Sequence, residues 1–192
     1  MRRNLLIASV VVLAFAGAAS AVVNEVSQRT LSQGATFNVE GSEFAKPTRA
    51  WLDMNGRRVP LRILRGATEI AFTAQLVTFR RGLSGACQLV VKTKGSKIPS
   101  YFGGMSIELP VVDDIMPEPV AAGAQTTITG SYFGTKKPRV YVGDVRAKVT
   151  LWSDTSITII VPPGLPPGDY FLDVESRAGV APVRAVLTVA GI

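Results

Sequence analysis

Histidine is absent from this chain of 192 residues, and cysteine occurs once, at Cys87. The first absence excludes Ser-His-Asp and Cys-His catalysis and His-ligated metals; the second excludes an intrachain disulfide. Aromatic residues make up 7% and charged residues 18%, against 47% hydrophobic, so charge is too sparse for a disordered chain. That apolar share is ample for a packed core, in one large domain or two small ones. Long apolar runs are scarce too. One extends from Leu5 to Ala16, short of the ~20 residues a membrane-spanning helix needs, and no second one follows.

That run has a context. Met1-Arg2-Arg3-Asn4 is a short basic start, and Gly17-Ala18-Ala19-Ser20-Ala21 closes with small residues spaced as an A-x-A cleavage site. Basic start, apolar middle and small-residue end predict a secretory signal peptide over residues 1–21. The mature form is then expected in the periplasm, at the cell surface or outside the cell, without a transmembrane span. No cysteine follows the apolar run to carry a lipid anchor. Export puts nucleic acid out of reach as a partner. Alternation in Ala86-Cys87-Gln88-Leu89-Val90-Val91 sets Cys87, Leu89 and Val91 on one side, which favours a small buried hydrophobe at Cys87 over the alternative of an intermolecular disulfide.

After Ala21 no window of a dozen residues keeps a helical period. Short runs with period-two alternation recur instead, among them Thr36–Glu40, Val59–Ile63, Ser156–Ile159 and Tyr170–Val174. Gly, Pro, Asn and Asp punctuate them at spacings of about 8–12 residues, as in β-sandwiches. Asn55-Gly56 between two such runs predicts a two-residue hairpin, because both residues tolerate positive φ. Pro162-Pro163 and Pro166-Pro167 mark a loop, since proline has no ladder donor for a central strand.

The chain repeats itself. Gly34-Ala35-Thr36-Phe37-Asn38-Val39-Glu40-Gly41-Ser42-Glu43-Phe44 aligns with Gly123-Ala124-Gln125-Thr126-Thr127-Ile128-Thr129-Gly130-Ser131-Tyr132-Phe133, at a constant offset of 89. The shared pattern is G-A-x-x-x-[VI]-x-G-S-x-F, and similar features continue in the same order beyond it. Duplication accounts for that order. Gly41 and Gly130 are expected at positive φ, and Phe44 and Phe133 in the core. The copies divide near Val111-Val112 into 22–111 and 112–192, each large enough for a small sandwich. The connection Pro110-Val111-Val112-Asp113-Asp114-Ile115-Met116-Pro117 has no Gly/Ser run, so a stiff junction is expected.

The second copy resembles the IPT/TIG family of immunoglobulin-like domains. The matching residues are Ile115-Met116-Pro117-Glu118-Pro119, Gly123, Thr127–Gly134, Val140-Tyr141-Val142-Gly143, Ser153–Gly164 and Gly168-Asp169-Tyr170. The first copy looks like a diverged member: it keeps Gly34, Gly41 and Phe44 but has Gly85-Ala86-Cys87 where the second has Gly168-Asp169-Tyr170. The resemblance implies an all-β protein of two tandem immunoglobulin-like (IPT/TIG-type) β-sandwiches. It also implies a binding module of a kind found in adhesion proteins, receptor ectodomains, accessory domains of polysaccharide enzymes and transcription factors. Fold alone does not choose among these.

Candidate sites are few. Asp113-Asp114 lies in an extended stretch that turns the two side chains to opposite faces, and Glu40 and Glu43 flank a turn, so no acid–base pair is expected. Asp53-Met54-Asn55-Gly56 begins like a calcium loop but lacks the later acidic residues, and a hairpin explains it. No catalytic residue, metal or cofactor is assigned. Trp51 and Trp152 are possible sugar-stacking residues, with Tyr101 and Phe102 beside them as lesser candidates, although strand positions favour core packing.

Charge is uneven. Residues 22–111 hold 12 Lys and Arg against 6 Asp and Glu, whereas 112–192 hold 7 against 8. Arg57, Arg58, Arg62, Arg65, Arg80 and Arg81 supply half of the first copy's positive charge, and period two sets Arg58 and Arg62 opposite Val59, Leu61 and Ile63. They form a possible polyanion- or partner-binding face, or an ordinary solvated one. The expected partner is an envelope or cell-surface protein, with an acidic polysaccharide as the alternative.

Overall fold

The computed structural model describes residues 21–44, 49–77, 81–94, 96 and 98–191. The signal-peptide reading therefore lies outside the described residues except for Ala21, and Arg80 lies outside them altogether. All regular structure among the described residues is β. In the first half the strands are β1 (Val22–Val26), β2 (Thr30–Leu31), β3 (Thr36–Ser42) and β4 (Arg49–Met54). They continue with β5 (Arg57–Ile63), β6 (Ala71–Leu76), β7 (Gly85–Lys92) and β8 (Ser100–Ile107). In the second half they are β9 (Val111–Met116), β10 (Val120–Ala121), β11 (Gln125–Ser131), β12 (Arg139–Val142) and β13 (Val145–Arg146). There follow β14 (Lys148–Trp152), β15 (Ser156–Ile160), β16 (Gly168–Glu175) and β17 (Ala185–Ala190).

The halves share one plan. In each, the first strand pairs antiparallel with the third (β1 with β3, β9 with β11), and a two-residue strand pairs parallel with the last (β2 with β8, β10 with β17). They differ at one strand. Residues Arg57 to Pro60 of β5 pair with β4 and Leu61 to Ile63 with β6, so the first half runs as one eight-stranded sheet. Pro60 sits at the switch, where its missing N–H costs the ladder nothing. In the second half the same strand is split into β13, paired with β12, and β14, paired with β15, leaving a five-stranded and a four-stranded sheet.

Alternation fills the space between the layers. Leu31, Phe37, Val39, Leu52, Leu76, Leu89 and Ile107 pack in the first core, and Ile128, Val140, Ile157, Ile159, Leu172 and Leu187 in the second. Phe44 and Phe133 are each 1% exposed, as the repeat predicts, and Phe44 meets Phe72 edge-on at 5.0 Å. The turn before each ring differs from the expectation. Neither Gly41 nor Gly130 has positive φ; the left-handed residues are Glu43 and Tyr132, both at φ 60°. The glycines are required by close approach instead. A Cβ at Gly41 would overlap the Val22 carbonyl oxygen and lie 2.7 Å from Phe44 Cζ; at Gly130 it would overlap the Val111 carbonyl and lie 2.7 Å from Phe133 Cζ.

The predicted hairpin forms, with Asn55 at φ 52° and Gly56 at φ 84° between Met54 and Arg57. Asp53 Oδ1 accepts the Gly56 N–H at 2.8 Å, so the apparent calcium loop is a turn. Pro162 to Pro167 fall between β15 and β16, outside both strands.

A cationic groove and an occupied junction

The outer face of β4 carries Arg49, Trp51 and Asp53, because Ala50, Leu52 and Met54 take the buried positions. Pairing of β4 with β7 sets Lys92 opposite Arg49, and pairing with β5 sets Pro60 opposite Trp51. The result is a groove of about 500 Å³ lined by Arg49, Trp51, Arg58 and Lys92 together with Ala50, Pro60, Leu61 and Ile63. Among the described residues three cations line it and no carboxylate does. The Arg58 guanidinium lies 5.0 Å from the centre of the Trp51 ring. A cation stacked on indole gains about 0.5–1 kcal/mol at an exposed site, which holds the guanidinium fork in place. The Trp51 indole N–H is buried without a hydrogen-bond partner among the described residues.

Of the five singled-out arginines among the described residues, Arg58 alone lines this groove; Arg57, Arg62 and Arg65 are exposed elsewhere on β5 and its following turn. Arg49 and Lys92 were not singled out. Alternation about Trp51 gives Arg49, but Lys92 depends on cross-strand register, which no local pattern carries. Arg81 is engaged at the junction between the halves. Its guanidinium meets the Glu175 carboxylate at 2.6 Å, and Arg139 approaches the same carboxylate at 3.5 Å. Gly82 N–H donates to the Arg177 carbonyl at 3.1 Å. Gln33, 4% exposed, adds two bonds across the junction and one within the first half. Its carbonyl accepts the Thr135 N–H at 2.8 Å, its Oε1 accepts the Lys136 N–H at 3.0 Å, and its Nε2 donates to the Val77 carbonyl at 3.1 Å. Ala178 of the second half packs into the first core. Side-chain and backbone bonds thus join the two halves at this junction.

Two of the other aromatic candidates, Trp152 and Phe102, also carry a cation over the ring. Trp152 is 41% exposed rather than in the core, its N–H bonded to the Thr135 carbonyl at 3.2 Å and Lys137 Nζ 5.6 Å from its ring. Arg29 lies over Phe102 at 4.9 Å, while Tyr101 is exposed. Cations on these faces leave less bare ring for a sugar and present donors in its place. Among the described residues no group of His, Cys, Asp and Glu is placed to hold a metal, and no helix is long and apolar enough to cross a membrane. Cys87 is buried, and that burial, with Glu108 nearby, pushes its thiol up to about 11.

Paired β-layers, duplicated corners and a hydrogen-bonded junction define a protein of tandem immunoglobulin-like sandwiches. Residues 110–183 match the IPT/TIG domain. A curated relative, cyclomaltodextrin glucanotransferase of Geobacillus stearothermophilus, is 36% identical over 70 residues, 36% of this chain and 10% of that enzyme. The chain thus spans about one tenth of that relative's length. Among solved structures, the mixed-linkage glucan utilization protein SGBP-B of Bacteroides ovatus aligns with 88% of this chain and 45% of its own, at 18% identity and a TM-score of 0.41. The extracellular region of plexin A4 aligns with 100% of this chain and 18% of its own, at 14% identity and a TM-score of 0.44.

Proposed function

We propose that this chain is an exported, non-enzymatic binding module of the cell envelope or surface. In this reading its two units, 22–111 and 112–192, present the first unit's groove to an acidic partner protein. The observation that carries the reading is the cluster of Arg49, Arg58 and Lys92 about Trp51 with no carboxylate among them. Exposed charge pairs contribute about 0–1 kcal/mol each, so affinity requires such a cluster. Arginine suits it because the planar fork pairs bidentately with carboxylates. In the second unit Arg139 and Arg184 are paired with Glu175 and Asp173, and a smaller hollow of about 300 Å³ lined by Lys137, Arg146 and Lys148 has no aromatic ring among its lining residues.

The alternative, a carbohydrate- or polyanion-binding accessory protein, rests on the exposed and hydrogen-bonded ring of Trp152. Two experiments separate the readings. Residues 22–192 should retain one stoichiometric partner from an envelope extract at low salt, and a variant with Ser at Arg49, Arg58 and Lys92 should not. Retention weakens past ~0.15 M salt, where the screening length falls to about 8 Å. Glycan-array hits that vanish with Trp51→Ala or Trp152→Ala would establish the alternative, and partner capture unaffected by the triple variant would overturn the first reading.

A further inference from the structure

The duplication lets one half be used to interpret the other. In the second half Glu175, the last residue of β16, stands opposite Arg139, the first residue of β12. The corresponding pair in the first half is Lys92, the last residue of β7, opposite Arg49, the first residue of β4. The two pairs occupy the same seat in the same register. The second seat is filled: Arg81, from the loop before β7, reaches Glu175, and the next residue, Gly82, donates to the Arg177 carbonyl two residues beyond it. A sandwich of this type therefore already receives a neighbour's loop at this position, through one ion pair and one backbone bond.

At the first seat the charge is reversed. Lys92 and Arg49 replace the Glu175–Arg139 pair, Arg58 stands on Trp51 nearby, and no ion pair forms there among the described residues. A basic loop fits the second seat and is repelled by the first. We infer that the first seat docks an acidic loop of a partner protein, laid across the ends of β4 and β7 as the Arg81–Gly82 loop lies across β12 and β16. This rests on the reading that the groove binds an acidic partner and adds where and how the partner sits. The reversed sign also disfavours a second copy of this chain. Another molecule's Arg81 would meet Arg49 and Lys92, so the head-to-tail contact that generates open filaments is opposed by like charge.

The test titrates residues 22–192 with poly-L-glutamate and, separately, with polygalacturonate of similar length, at low salt. Lys92→Glu copies the second seat's polarity and Lys92→Ser removes the charge; the position is exposed, and thermal melting checks that each variant folds. Arg62→Ser is the control outside the seat. The seat predicts that poly-L-glutamate binds, that Lys92→Glu weakens it about tenfold or more, and that Arg62→Ser changes it less than about twofold. Binding of polygalacturonate as tightly as or tighter than poly-L-glutamate would overturn the protein-loop inference and leave the acidic-ligand reading standing. Poly-L-glutamate binding that ignores both Lys92 variants would overturn the seat alone. Binding of neither polymer would overturn both.

Discussion

Cys87 shows how a single residue takes its chemistry from its strand. Alternation in β7 turns it inward, and burial with Glu108 nearby raises its thiol from 9.0 to about 11. The folded thiol is therefore harder to ionise than the unfolded one. Below pH about 9 it is neutral in both states and contributes no pH dependence. Between about 9 and 11 the unfolded chain ionises and the folded one does not, so this residue makes stability fall as pH rises through that window. Denaturant titrations across it should show the decline, and Cys87→Ala should reduce it. Folded protein should resist alkylation at pH ~8, because the thiolate is the reactive form. Rapid labelling under native conditions would place Cys87 elsewhere.

The corner after β3 and β11 is the element that duplication preserves most fully. Gly41 N–H donates to the Ile70 carbonyl at 2.8 Å and Gly130 N–H to the Thr155 carbonyl at 3.0 Å. Phe44 N–H donates to Glu69 at 2.9 Å and Phe133 N–H to Asp154 at 3.0 Å. Gly41→Ala and Gly130→Ala should each destabilise by about 2–4 kcal/mol, since the new methyl overlaps a backbone carbonyl. Phe133→Ala should lose roughly 3–5 kcal/mol through transfer and cavity terms. Near-unchanged melting of either class of variant would refute the packing. The repeated G-S-x-F made this element legible in the sequence, but not its cause. Close approach of β1 to β3 is a tertiary fact, and a bare glycine signals only that something excludes a side chain. The hairpin at Asn55-Gly56 was legible in full because its determinant is local. The split of β5 between two partners was not, since Pro60 announces only a broken ladder.

At the scale of the whole molecule, the junction and the groove are two uses of one position. Gln33 ties the halves together with both its backbone and its side chain, so Gln33→Ala leaves the Lys136 N–H and the Val77 carbonyl unpaired. The cost should be about 1–3 kcal/mol, and hydrogen exchange should quicken at the Lys136 amide. Unaltered protection would mean that the halves do not lean on this residue. The groove was half legible. Trp51 and Arg58 were singled out for separate reasons, yet the structure stacks one on the other, while Lys92 joined them only through register. The most direct measurement of the account follows from the chain having two tryptophans. Each gives one indole N–H cross-peak in a 1H–15N spectrum, and Trp51 lies in the groove while Trp152 lies in the second half. Titration with poly-L-glutamate at low salt should move the Trp51 cross-peak and leave that of Trp152 in place, with the shift suppressed in Arg58→Ser. Movement of Trp152 alone, or of neither, would contradict the assignment of the first half's groove as the binding surface.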